Sequence, residues 1–299
     1  MDVFLALLPD LLLILIGVLL RNVSGLGEAG WKAIDTLNFR VLFPALIFFA
    51  ASGAIFTLHD LTAIGLGVWL IMALGCGLAW LFRPFGPQRF LDFAGLWQTA
   101  WRFNSAIALV ATNALSAEIR SMMAVAIGTA VPVANIMAIS ALSRGNALSL
   151  AQTVKQVLSN PFFLASIGGI LLSSSGLMPP PQIMEVPQRL AEAAIPLALL
   201  SIGASLDGRA LARMNLFLGV LNGIKLLALP GITLIVARLA GLPAAQTSTL
   251  VIFAALPTAS AAHILASVFG ADRAAVATMI AQSTLLGCIT LPLWLALLG

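Results

Sequence analysis

The chain nearly repeats itself, and each copy carries an odd number of apolar segments. Pro9 and Gly17 in the first segment recur as Pro161 and Gly169, and Pro44 recurs as Pro196, each at an offset of 152. A polar interruption at Asn104 has its counterpart at Pro257, at an offset of 153. Each half reads as five hydrophobic segments. Five is odd, so in a bilayer the second copy lies upside down relative to the first. Inverted repeats that set interrupted helices near the membrane midplane are an architecture of secondary transporters.

Composition requires a membrane. The chain is 61% hydrophobic and 9% charged, with a mean hydropathy of +1.06. Soluble domains carry roughly 25% charged residues. Cys76 and Cys288 both lie inside apolar segments and read as small buried hydrophobes rather than a disulfide or metal pair. Two His without a Cys/His cluster imply no metal centre, and nothing in the sequence implies a cofactor. The pI of about 9.8 fits Lys and Arg held on cytoplasmic loops, so no nucleic-acid partner is expected. The first segment lacks a basic n-region and a small-residue cleavage site, and reads as a retained span rather than a signal peptide. No nucleotide-binding motif is present to supply ATP drive.

Ten segments are long enough to cross, allowing for tilt and local thinning. They cover 3–20, 39–56, 61–82, 90–115, 119–141, 161–177, 188–206, 214–238, 246–269 and 274–298. The expected fold is an all-α integral membrane protein of ten transmembrane helices, built as two inverted five-helix repeats with segments four and nine broken. The first repeat is 1–142, a cytoplasmic linker is 143–160, and the second repeat is 161–299. Alternate loops carry Arg21, Lys32, Arg83, Arg89, Arg144, Lys155, Arg209, Arg213 and Arg273, against Arg120, Arg189 and Arg238 on the others. The richer set is cytoplasmic, which puts both termini outside. Arg40 is expected near a cytoplasmic helix end. Arg102 and Lys225 remain as cations deep in the membrane, where they must face protein or water.

Segment four reads FAGLWQTAWRFNSAIALVATNAL. Asn is a good N-cap and a poor helix-interior residue, so the helix should break there, with Asn104 or Ser105 capping a second half-helix. Segment nine reads LVIFAALPTASAAHILASVFG. Pro257 has no N–H to give and suits the start of a new helix. The two segments run in opposite directions through the bilayer. Their second half-helices therefore aim their N-termini at one region from opposite sides. Each such end carries roughly half a positive charge and free N–H groups, and Arg102 adds a full charge. The expected ligand is an anion, most naturally a carboxylate. Its candidate contacts are Arg102, Asn104, Ser105, Pro257, Thr258 and Ala259.

Four further residues have two readings each. Asn135, after Pro132 in segment five, either bonds across helices or meets substrate. His263 either packs or tunes the pocket as a proton carrier. Asp10 is an interfacial acid, a proton site, or a partner of Arg102 or Lys225. Lys225 is a structural cation or a coupling group, and its repeat equivalent is Ala73. Gly168, Gly169 and Gly203 mark close helix packing.

Several stretches resemble the auxin efflux carrier family in its bacterial branch: RFN at Arg102–Asn104, PVANIMA at Pro132–Ala138, NPFFLASIGGILLSSSGL at Asn160–Leu177, IPLALLSIGASL at Ile195–Leu206, LPTASAAHILASVFGAD at Leu256–Asp272, and the closing TLPLWLALL. The similarity covers essentially the whole chain. It implies a scaffold of helices 1, 2, 6 and 7, a mobile transport domain of helices 3–5 and 8–10, and a substrate site where helices 4 and 9 cross. It further implies homodimers through the scaffold and small organic anions such as malate, malonate or auxin-like acids as substrates. Asn104 and Pro257 fit the family's crossover. Ala261 stands where bacterial relatives usually carry Asn, and His263 follows two residues later.

The expected protein is thus a secondary carrier of a small organic anion in the bacterial inner membrane, working by elevator-like movement. A sodium-coupled carrier of the bile-acid-symporter type shares the crossover but needs acids clustered at the break, and here the acids lie mostly at helix ends. A membrane-embedded enzyme needs a nucleophile–base set or a metal cluster, whereas His59 and His263 are far apart in sequence. A passive channel is the third alternative.

Overall fold

The computed structural model describes residues 12–13, 15–21, 23–52, 58–113, 115–143, 158–159, 161–177, 179–205, 208–259 and 261–298. Asp10 and most of the 143–160 linker lie outside the described residues. Among those described there are helices and turns and no strand. After a helical stretch at 15–21 come α1 (Gly27–Leu37), α2 (Phe43–Ser52), α3 (Leu58–Leu81), α4 (Phe90–Trp97), α5 (Ser105–Asn113) and α6 (Ala117–Ser143). The second half holds α7 (Pro161–Ser175), α8 (Pro181–Ser205), α9 (Leu216–Gly223), α10 (Leu229–Leu239), α11 (Ala244–Ala255), α12 (Ala261–Phe269) and α13 (Arg273–Leu298). Among the described residues, four helical stretches are long and apolar enough to cross a membrane: Thr62–Leu81, Ala117–Leu142, Leu216–Leu239 and Arg273–Leu298.

Two prolines shape long helices in the same way. Pro44 follows a π turn at Asn38–Leu42 by one residue, and Pro230 follows a π turn at Ile224–Ala228 by one residue. In each turn the residue before the proline donates five positions back, Phe43 to Asn38 and Leu229 to Ile224. Proline lacks an N–H and crowds the carbonyl four residues back. Widening the preceding turn removes the crowding without breaking the helix. Helix α1 therefore runs through its π turn into α2, and the helix starts at Gly27 rather than near residue 39. Glu28, Lys32 and Asp35 give this early part a polar face, so it could not be read as apolar span. Arg40 consequently sits exposed in mid-helix, not at a helix end.

Helix α8 likewise begins earlier than its apolar run. It starts at Pro181, where a proline costs no hydrogen bond, and its first turns carry exposed pairs, Arg189–Glu185 at 2.7 Å and Gln188–Glu192 at 3.0 Å. Asp35 of α1 accepts a hydrogen bond from Ser201 of α8.

Helices α2, α7 and α8 pack together, with α2 lying along both α7 and α8. Small residues set their separation. A Cβ on Gly169 of α7 would lie 2.7 Å from the Phe48 carbonyl oxygen and 2.7 Å from Ala51 Cβ, both on α2. A Cβ on Gly17 would strike the Leu200 carbonyl oxygen on α8. Helices α3–α6 and α9–α13 form a second cluster, in which α11 packs against α3, α6, α10 and α13, while α12 packs against α4, α6 and α13. The clusters meet where α6 lies against α2 and α7 and where α5 touches α8.

Candidate functional site

Segments four and nine are both broken, and the breaks meet. In segment four, α4 tightens into a 3-10 turn at Gln98–Ala100, and the chain leaves the helix through Trp101–Asn104. Helix α5 then starts at Ser105. Asn104 is its cap: the side-chain Oδ1 accepts from the Ile107 N–H at 3.2 Å, and the backbone carbonyl accepts from the Ala108 N–H at 3.0 Å. Of the two candidate caps, Asn104 holds the position, and Ser105 is the first helical residue. Such a cap contributes about 1 kcal/mol to helix stability.

In segment nine, α11 ends at Ala255 and α12 begins only at Ala261. Pro257 is therefore not the first residue of the new half-helix, and the gap is wider than a simple proline start. Leu256 adopts φ −62° and ψ 139°. A residue before proline is pushed out of the helical region by the ring, so the helix stops one residue early and 256–259 is non-helical. Gly287 of α13 makes room for the ring, since a Cβ there would lie 2.5 Å from Pro257 Cγ.

Three hydrogen bonds join the breaks directly. The Asn104 N–H donates to the Pro257 carbonyl at 2.9 Å. The Thr258 hydroxyl donates to the Thr99 carbonyl at 2.6 Å. The Gln98 side-chain amide donates to the Ala262 carbonyl at 3.3 Å. Thr258 also has its N–H bound by Ser283 Oγ at 3.2 Å, so both its donors hold the crossing together. Gln98, Thr99, Thr258 and Ser283 are fully buried. An unmet polar group in such a place costs about 1–3 kcal/mol. These bonds explain how two interrupted helices stand side by side inside apolar surroundings. Beside them the rings of Phe103 and Phe253 pack at 4.4 Å between centroids.

The two deep cations flank this crossing. Arg102 is 4% exposed. It donates to the Ala134 carbonyl at 3.4 Å and to Asn135 Oδ1 at 2.8 Å, both on α6. Its Nε is buried and donates to no acceptor among the described residues. Arg102 and Asn135 are thereby one unit rather than two separate candidates. Lys225 is fully buried in the second π turn, and its ammonium donates to the Ala254 carbonyl at 3.2 Å, at the end of α11. Asn104, Ser105, Ala259 and His263 are half-buried, with His263 in the first turn of α12.

Sequence reasoning did not single out Gln98, Thr99, Ser283 or Gly287. A signal for three of them existed. Gln and hydroxyl residues deep in apolar segments must find partners, and WQTAW and AQSTLLG place them there. Gly287 carried no signal, because its role is set by a proline thirty residues away in the chain.

An all-helical chain with several helices able to cross a membrane, and a polar crossing of two broken ones, defines a class: a multi-pass membrane transporter. Comparison with known proteins supplies the family. Residues 143–295, just over half of the chain, match the model of the membrane transport protein family. The chain belongs to that auxin efflux carrier-like family. A protein of Methanothermobacter thermautotrophicus named "Uncharacterized transporter" is 25% identical over 295 residues, covering 96% of this chain and 95% of the relative. A protein of Rhizobium meliloti named "Putative malonate transporter" is 27% identical over 137 residues. That match takes in 46% of this chain and 43% of the relative, so it spans less than half of that protein.

Proposed function

We propose that this transporter carries a small organic anion, and that the anion's carboxylate binds where segments four and nine cross. The observation that carries the reading is Arg102: a guanidinium with an unpartnered buried Nε stands two residues before the capped N-terminus of α5. Helix N-termini favour negative charge, and a guanidinium suits a planar carboxylate. Asn135 fixes the guanidinium from α6. Asn104 and Ser105 present the first turn of α5, and Ala259 and His263 line the opposite side, where α12 starts. Pro257 and Thr258 hold the crossing in shape. The malonate named for the Rhizobium relative is a small dicarboxylate, in keeping with this chemistry.

The movement we propose is elevator-like. The cluster of α3–α6 and α9–α13 carries the crossing and slides against a scaffold of the 15–21 stretch, α1, α2, α7 and α8. Two related contacts support a pseudo-twofold scaffold. Gly17 meets Leu200 and Gly169 meets Phe48; the two glycines are 152 residues apart in the chain, and so are Phe48 and Leu200. The same relation is in keeping with two repeats. From the loop charges and the family resemblance we further propose that they are inverted, with both termini outside an inner membrane and two copies paired through the scaffold.

The test is ligand-dependent thermal stabilisation of the purified protein with malonate, malate and indole-acetate. A ligand that binds only the folded state raises apparent stability by mass action. The expected result is a concentration-dependent rise with at least one carboxylate, lost in Arg102→Met. No rise with any carboxylate overturns the anion reading. Uptake into proteoliposomes that saturates with substrate separates a carrier from a channel.

A further inference from the structure

We propose that Arg83 and the exposed face of α3 form a binding site for an anionic phospholipid, with the headgroup phosphate on the guanidinium and an acyl chain along the helix. The site uses none of the residues of the crossing and does not depend on the carboxylate reading.

The geometry starts where α3 ends. The helix stops at Leu81, and a 3-10 turn at Arg83–Phe85 follows. That turn lays the Arg83 guanidinium over two rings of α4, 5.0 Å from the centroid of Phe90 and 4.9 Å from that of Phe93. Phe93 is fully buried, so the cation is held against a fixed ring. Its Nη1 is buried and donates to no acceptor among the described residues. A guanidinium in that state calls for an oxyanion. The described acids beside it are engaged elsewhere. Asp92 Oδ1 accepts from Arg89 at 3.4 Å and from the Asp272 N–H at 2.8 Å. Asp272 Oδ1 accepts from the N–H groups of Ala274 and Ala275 at 3.0 Å. The Asp92–Asp272 bond also places exposed Arg89 and Arg273 at the same end of the bundle.

What adjoins the cation is apolar and bare. Trp80 packs edge-on against Phe90 and Phe93, at 6.2 and 5.6 Å between centroids, yet stays 46% exposed. Leu81 is 70% exposed and Phe85 68%. Further along α3, Leu66, Leu70, Ala73 and Gly77 are exposed too. Their spacing of three and four residues puts them on one helix face with Trp80 and Leu81. A Cβ on Gly77 would meet nothing within 4 Å. Between the bulk of Leu70 and that of Trp80, the face is therefore a furrow over Ala73 and Gly77. The stretch Thr62–Leu81 is long and apolar enough to cross a membrane. Its bare face then meets hydrocarbon, and Arg83, two residues past the end, stands at the headgroups. A soluble anion would use the cation alone. A phospholipid uses cation and furrow together, and an anionic one also answers the arginines around it.

The experiment measures the apparent melting temperature of the full-length protein in nonionic detergent, with phosphatidylglycerol or phosphatidylcholine added in equal amounts. Phosphatidylglycerol is expected to raise it by at least about 3 °C more than phosphatidylcholine. Arg83→Gln is expected to lose that difference. Arg89→Gln and Arg273→Gln, which remove the same charge, are expected to keep it. Equal loss in all three variants overturns the proposal, because diffuse attraction would then account for the effect. A wild type that answers both lipids alike overturns it as well. So does inorganic phosphate that gives the same Arg83-dependent rise, since the site would then be one for a soluble anion. If Arg83→Gln does not fold, Gly77→Leu decides, because it fills the furrow and leaves every charge in place. A smaller difference between the two lipids in that variant supports the bound chain, and an unchanged difference overturns it.

Discussion

The backbone N–H of Asn104 donates to the carbonyl of Pro257 at 2.9 Å. These residues stand at equivalent places in the two halves of the chain, and the bond is made between the groups that each break sets free. Asn104 thus works twice: its side chain caps α5, and its backbone ties α5 to the start of the α12 half.

This double role separates stability from binding. Asp is as good an N-cap as Asn, so Asn104→Asp should keep its melting temperature within about 0.5 kcal/mol equivalent of wild type. The added negative charge should abolish carboxylate-dependent stabilisation. Asn104→Ala should instead lose about 1 kcal/mol of stability along with part of the binding. Thermal melts of the two variants with and without malonate check both.

Arg102 spans two acceptors on α6, the Ala134 carbonyl and Asn135 Oδ1. A lysine is a point charge on a flexible stem and cannot reproduce that planar arrangement. Arg102→Lys should fold yet bind carboxylate at least about tenfold more weakly, a loss of roughly 1.4 kcal/mol. Unchanged affinity in a binding titration would mean that the guanidinium's shape plays no part.

The bond from Thr258 to the Thr99 carbonyl predicts a graded series. Thr258→Ser keeps the hydroxyl and should cost little. Thr258→Val keeps the shape but leaves a buried carbonyl unmet, a loss of about 1–3 kcal/mol. Equal melting temperatures for the Val and Ser variants would remove this bond from the crossing.

Neighbouring glycines give a sharper test of packing. Gly169→Ala brings a Cβ to 2.7 Å from the Phe48 carbonyl, whereas a Cβ on Gly168 would rest at 3.6 Å from the Phe48 ring. The first substitution should cost about 1–3 kcal/mol by overpacking, and the second should be close to neutral. Gly287→Ala should behave like Gly169→Ala because its Cβ meets the Pro257 ring at 2.5 Å, while Gly219→Ala meets only Met214 Sδ at 4.0 Å. Melting temperatures of the four variants decide the matter.

The sequence by itself determined that the chain is helical and made for a membrane, and that segments four and nine are broken near Asn104 and Pro257. Those features follow from local chemistry: apolar length, the poor helix propensity of Asn, and the missing N–H of Pro. Where helices begin was less legible. Helix α1 starts at Gly27 because polar Glu28, Lys32 and Asp35 extend it beyond the apolar run, and hydropathy is blind to a polar helix. The width of the second break was also hidden, since Pro257 acts through Leu256 as well as through itself. Only the tertiary structure decided which polar groups meet. Gln98 with Ala262, Thr258 with Thr99 and Ser283, Arg102 with Asn135, and Lys225 with Ala254 are paired across long distances in the chain. The reason is physical. A buried polar group must find a partner, but the sequence states only the need. Which partner meets it depends on how the helices pack.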